Sequence, residues 1–131
     1  MSNPYGMSTT VSESYDEAIE KVTAALKEQG FGILTQIDMQ TTLKNKLGVD
    51  IDKYIILGAC NPNLANQAMQ IEQEMGLLLP CNVIVYETDG TTHVSFLDPL
   101  QMMGFAGNDA LNNVATDARN RIEKIYAAIQ S

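Results

Sequence analysis

The sequence is short of several things, and each shortage excludes something. Among its 131 residues there is no tryptophan, one histidine and two cysteines. Only 8 residues are Lys or Arg, against 16 Asp or Glu, so the formal net charge is −8. That balance excludes sequence-independent nucleic-acid binding, which depends on cations neutralising phosphates. It also speaks against an anionic membrane surface. No apolar run approaches the roughly 20 residues of a membrane-spanning helix; the longest leucine run, Leu77-Leu78-Leu79, stops at Pro80. The N-terminal Met-Ser-Asn-Pro-Tyr-Gly has neither a basic nor an apolar signal region. The expected compartment is therefore the cytoplasm. Cys60 and Cys81 stand in no C-x-x-C pair, which removes the usual zinc and thioredoxin-like signatures. In a reducing compartment both are expected as free thiols.

What is present suits one ordered domain over residues 1–131. Hydrophobic residues make up 45% of the chain, enough to build a core rather than a disordered segment. No linker or internal repeat divides it. Tyr5 to Val11 is β-prone. Ser14-Tyr15-Asp16-Glu17 has the form of a capping box, and Tyr15, Ala18, Ile19, Val22, Ala25 and Leu26 follow at helical spacing. The spacing predicts a helix from about Tyr15 to Gln29, with Gly30 as its terminator. Phe31 to Ile37 reads as a strand. Asp38 caps a short helix through Lys46, ended by Gly48. Tyr54 to Cys60 is a continuous apolar run, the pattern of a strand covered on both faces. Asn61-Pro62 opens another helix, expected to reach Met75 and stop at Gly76.

Thr88-Asp89-Gly90 between two β-branched runs is a hairpin signal. With Asp89-Gly90 as the loop, Tyr86 faces His93, Val85 faces Val94, Ile84 faces Ser95 and Val83 faces Phe96. Alternation then gives one apolar face (Val83, Val85, Val94, Phe96) and one mixed face (Ile84, Tyr86, His93, Ser95). Leu100 to Gly107 is apolar but glycine-rich, and reads as a mobile loop. A last helix runs from about Asp109 to Gln130. Its stripe is Leu111, Val114, Ala115, Ala118, Ile122, Ile125 and Ile129, with Asp117, Arg119, Asn120, Glu123 and Lys124 turned to water. Helices interleave with strands, so the fold class is α+β: a mixed, largely antiparallel sheet with helices packed mainly on one face.

Three segments carry a family resemblance. They are Gly30-Phe-Gly-Ile-Leu-Thr-Gln-Ile-Asp38, Leu57-Gly-Ala-Cys-Asn-Pro62 and Gly76-Leu-Leu-Leu-Pro-Cys-Asn-Val-Ile-Val85; Asp98-Pro99 with Met102-Met103-Gly104 adds a fourth. Together they resemble the bacterial and archaeal family called "domain of unknown function 302", over nearly the whole chain. The resemblance implies a TATA-binding-protein-like α+β fold with a curved antiparallel sheet, and a homodimer. It implies no activity and no catalytic residue.

The residues themselves offer a few candidates. Cys60 lies just before a helix N-terminus, which lowers a thiol pKa, and Cys81 is its possible resolving partner. Free cysteines are otherwise ordinary buried hydrophobes. Met102 and Met103, with Cys81 and His93, have the softness that suits Cu(I), but softness selects no geometry, and no metal or cofactor is expected. Tyr86 and His93 share the mixed face, where histidine is the residue type of a general base but no carboxylate is there to orient it. Asp98 and Asp38 are carboxylates that capping explains. Asn61-Pro62-Asn63 opens a helix without a neighbouring Lys or Arg in sequence, a poor phosphate site. No catalytic set emerges, so an enzyme is not expected. The reading that follows is a cytosolic homodimer binding a small apolar or amphipathic molecule or a partner protein, with weak ligand candidates Tyr86, His93, Asp98, Met102 and Met103. The alternative is thiol redox or sulfur transfer by Cys60 with Cys81.

Overall fold

The computed structural model describes residues 3–130. The chain runs β1 (Gly6–Val11), α1 (Tyr15–Glu28), β2 (Gly32–Asp38), α2 (Met39–Leu47), β3 (Tyr54–Cys60), α3 (Pro62–Ile71), β4 (Cys81–Thr88), β5 (Thr91–Leu97), α4 (Pro99–Gly104) and α5 (Asn112–Ile129). Short 3₁₀ turns occupy Gln73–Leu78 and Asp109–Leu111. The five strands form one curved sheet in the order β1-β5-β4-β3-β2, and all four pairings are antiparallel. The fold is α+β as expected, with no parallel pairing in the sheet.

Local chemistry sets most boundaries. At α1, Ser14 Oγ accepts from Glu17 N–H at 3.2 Å while Ser14 N–H donates to Glu17 Oε1 at 3.1 Å, closing the capping box. At its other end Gly30 takes φ +84°, and Phe31 N–H donates to Leu26 O at 3.0 Å. Asp38 accepts from Thr41 N–H at 3.0 Å to start α2, which Gly48 ends at φ +68°. Asp89 and Gly90 both have positive φ, the geometry of a two-residue hairpin turn, and the β4–β5 register is the one expected from the loop.

That register decides the core. Val83, Val85, Val94 and Phe96 form a wall against α1 and α5, joined by Ile55, Leu57 and Ala59 from β3. Ala18, Val22 and Leu26 of α1 and Ile122, Ile125 and Ile129 of α5 close the layer. The α5 stripe is buried throughout, as its spacing predicts. A second, smaller core joins Leu64 and Ala68 of α3, Met75, Cys81, Met102 and Met103, and the first half of α5.

Three expectations need correction. The run Tyr54–Cys60 is fully buried along one face only: Ile55, Leu57 and Ala59 are buried, while Tyr54 and Ile56 on the other face are half-buried. The run looks two-sided because the uncovered face is itself apolar there, with Ile56 against Ile84. The helix from Pro62 stops at Ile71, and Gly76 lies inside the following 3₁₀ turn. An unbroken helix to Met75 carries the chain about 20 Å from Pro62 and leaves only a fully extended return to Cys81. Finally, Leu100 to Gly107 is not a free loop. Asp98-Pro99 starts a helix just as Asn61-Pro62 does: Asp98 Oδ1 accepts from Leu100 N–H at 2.9 Å.

Gly58 in β3 is a packing requirement. A Cβ there runs into Thr35 Oγ1 and comes within 2.9 Å of Pro80 Cγ. Gly58→Ala is expected to lower the unfolding free energy by about 1–3 kcal/mol through overpacking. The cost should shrink in a Thr35→Ala background, because one of the two obstacles is gone; urea unfolding of the four variants measures it.

Candidate functional site

The side of the sheet opposite α1 and α5 is uncovered, and its side chains line up across the strands. The registers place Tyr54, Tyr86 and His93 in one row, with Thr10 at its end. The Tyr54 and Tyr86 rings lie 5.4 Å apart at 20°, and Tyr86 and His93 lie 4.8 Å apart at 6°, a continuous offset stack. The next row is Ile37, Ile56, Ile84, Ser95 and Ser8. Ser8 and Ser95 share a hydroxyl hydrogen bond of 2.7 Å. The face thus grades from apolar at β2 to hydroxylic at β1. A cleft of about 310 Å³ opens beside the stack, lined by Tyr5, Gly6, Tyr54, Asn82, Ile84 and Ser95 among others. The Tyr54 hydroxyl pKa is raised, first by burial and then by Tyr86 and Tyr5 nearby. The phenol is therefore a neutral hydrogen-bonding group at neutral pH.

Of the residues singled out in the sequence, Tyr86 and His93 come together here. Tyr54, Tyr5 and Asn82 join them unannounced. The β3–β4 register that brings Tyr54 beside Tyr86 has no signature in the sequence, because α3 and its 3₁₀ extension separate the two strands.

The other candidates are drawn into structure. Asp98, only 6% exposed, caps α4 with Oδ1 and takes Arg119 Nη1 at 2.7 Å on Oδ2. Arg119 is not turned to water as the helical spacing suggests. It lies across α5 toward Asp98, and its Nε sits 3.0 Å from Glu123 Oε1, out of line for a hydrogen bond. Met102 and Met103 are buried in the second core and form no lid. His93 lies in the ring row on the uncovered face, so it does not join Met102 and Met103 in a soft-metal set. Among the described residues no three His, Cys, Asp or Glu side chains gather into a metal-binding group.

The two cysteines are neighbours without being a pair. Both line one small apolar cavity, with Phe31, Leu64, Ala65 and Met103. Cys81 pairs with Ala59, which places it beside the end of β3 where Cys60 stands. Both thiols are free. Burial raises the Cys60 pKa, overriding the lowering expected from the α3 N-terminus. Burial, then Cys60, pushes Cys81 up to about 11. The start of α3 has its own polar cleft of about 660 Å³, and the fold does bring a cation there, Arg121. That guanidinium is engaged by Asp117 at 2.8 Å and by Gln29 O at 3.0 Å, while Asn61 caps the helix through Leu64 N–H at 3.2 Å.

The chain matches the family model "Domain of unknown function DUF302" over residues 7–129. It belongs to this family. A solved relative, the crystal structure of an uncharacterized conserved DUF302 protein from Bacillus stearothermophilus, superposes with a TM-score of 0.90 at 29% identity, covering 98% of this chain and 100% of that one. Comparison with curated proteins gives no match. Family membership accounts for the architecture, and no helix among the described residues is long and apolar enough to cross a membrane. It brings no activity with it, so the chemistry of this DUF302 chain has to come from its own surfaces.

Two outcomes follow from the candidates that became structure. Asp98→Ala is expected to destabilise the fold by about 2–3 kcal/mol, because it removes both the cap of α4 and one of the two carboxylates beside the partly buried Arg119; Asp98→Asn, which keeps the cap, should cost less. Chemical denaturation compares them. Separately, Cys81 should resist iodoacetamide at neutral pH in the native protein and react at the model-thiol rate once denatured, read by mass spectrometry of the labelled peptide.

Proposed function

We propose that this DUF302 chain is a binding protein whose site is the uncovered sheet face, and that it takes a small amphipathic molecule carrying a planar ring. The observation that carries this is the stacked Tyr54–Tyr86–His93 row, lying beside Ile56 and Ile84 with no helix over it. A planar ring gains by stacking on such a row. The apolar part of the ligand follows the isoleucines, and its polar end meets Ser8, Ser95 and Asn82. The adjoining cleft, about 310 Å³, is at the small end of ligand pockets, and it combines apolar walls with a few polar groups.

The thiol reading has less support. A reactive cysteine needs a lowered pKa and access, and both thiols are shifted upward by burial. His93 as a base has no carboxylate to orient it; its ring neighbour is Tyr86.

Thermal denaturation in the presence of a panel of ring-bearing amphipathic metabolites tests the proposal. A ligand at 100 times its dissociation constant stabilises the fold by about 2.7 kcal/mol. Tyr86→Ala should abolish the shift and Tyr86→Phe should largely keep it, since the phenyl ring still stacks. A hit indifferent to both Tyr86→Ala and His93→Ala would sink the assignment of the site, and a panel without any hit would count against a small ligand altogether.

A further inference from the structure

The second core holds a small cavity walled in part by sulfur. Its volume is about 20 Å³, room for one water molecule or one ion and nothing larger. Both cysteines of the chain line it, and so does Met103. The other walls are mainly apolar, Phe31, Leu64 and Leu79 among them. A buried water needs about two to four polar partners. Asn61 stands in the wall, but its carboxamide is spent: Oδ1 accepts from Leu64 N–H at 3.2 Å, and Nδ2 donates to Gln29 O at 3.2 Å. What the cavity offers an occupant is sulfur.

Three parts of the chain bring that sulfur together. Cys60 is the last residue of β3 and Cys81 the first of β4, and Cys81 pairs with Ala59, the neighbour of Cys60. The two thiols are close enough for Cys60 to help raise the Cys81 pKa. Met103 arrives on α4, which Asp98 caps and ties to α5 through Arg119. Cys81 and Met103 are buried, 8% and 5% exposed, whereas Cys60 is half-buried, so the group is not sealed from solvent.

Thiolate and thioether are soft ligands, and among the first-row metals they select Cu(I). A structural zinc takes four Cys, His or carboxylate ligands in a tetrahedron, and no His, Asp or Glu lines this cavity. When Cu(I) takes both cysteine sulfurs, the two S–H protons leave to solvent and two Cu–S bonds form, with no change of oxidation state. Two thiolates and one Cu(I) leave a single negative charge. Cys60 directly precedes Asn61, the N-cap of α3, and a helix N-terminus favours negative charge at that place.

We propose that Cys60, Cys81 and Met103 form a binding site for one Cu(I) ion, with the two thiolates and the thioether as its ligands. The site lies in the second core, at the ends of β3 and β4, and the ring row lies on the open sheet face. Neither proposal depends on the other.

Anaerobic titration of the reduced full chain with Cu(I), in competition with the chelator bicinchoninate, provides the test. One ion per chain is expected, with a thiolate-to-copper absorption in the ultraviolet. Met103→Leu conserves volume and should weaken Cu(I) by at least about tenfold, a loss that even an outer contact of a metal site can cause. Cys60→Ser, at a half-buried position, should weaken it further and remove most of the absorption. Met102→Leu makes the same chemical change at the neighbouring residue, which does not line the cavity, and should leave the affinity unchanged; so should His93→Ala. Circular dichroism checks that each variant is folded. A wild type that binds Cu(I) no more tightly than Cys60→Ser does, an affinity indifferent to Met103→Leu, or an equal loss in Met102→Leu would each overturn the proposal.

Discussion

The two-residue turn at Asp89–Gly90 pins β4 against β5, and that register governs the central sheet. Side chains alternate with period two, so a slip of one residue would send Val83, Val85, Val94 and Phe96 to the uncovered face and bring Tyr86, His93 and Ser95 under the helices. α1 and α5 bury their stripes against the wall that this register creates. The same pairing, read on the reverse side, stacks Tyr86 on His93. Core and candidate site are therefore the two sides of one constraint, which is why the site residues can be substituted without touching the packing against the helices.

A second constraint holds the smaller core in place. Asp98 ends β5, caps α4 and takes Arg119 from α5, so one carboxylate ties a strand, a short helix and a long helix together. A partly buried ion pair contributes little net stability relative to apolar packing, but leaving one partner alone is costly. Its consequence is geometric: it directs the chain after β5 so that Met102 and Met103 enter the second core with Met75 and Leu111. Phe105 is left outside, in a groove that it shares with Leu77, Glu72 and Glu74. The position of that groove thus follows from the Asp98–Arg119 link.

The charge distribution separates two surfaces. Lys and Arg are confined to residues 21–53 and 119–124, and the connections around α3 and α4 have none. The ring row on the sheet is mostly neutral, built from tyrosines, isoleucines, serines and one histidine. The groove is acidic and apolar. Surfaces so different in chemistry suit occupants of different chemistry.

Much of the architecture was legible from residue order because it is local. Ser14 and Glu17 declare a helix start within four residues, Gly30 and Gly48 declare stops, and Asp89-Gly90 declares a hairpin together with its register. The period of α5 names its buried stripe, and 45% apolar residues with a charge of −8 bound the class. What the residues could not declare is everything that depends on elements distant in sequence. Arg119 has the spacing of a solvent-facing residue until Asp98 is brought beside it, 21 residues upstream. The apolar run of β3 cannot say that one of its faces stays open, since apolar side chains alternate alike whether or not a helix lies over them. Tyr54 gains its stack only from the β3–β4 register, and Leu77 meets Phe105 only through the second core. The residue sequence by itself determined the elements, their caps, the hairpin register and the buried stripe, because each rests on interactions within a few residues. Only the tertiary structure decided which face is bare, which carboxylate is consumed and which exposed side chains meet, because those depend on long-range contacts that no local spacing encodes.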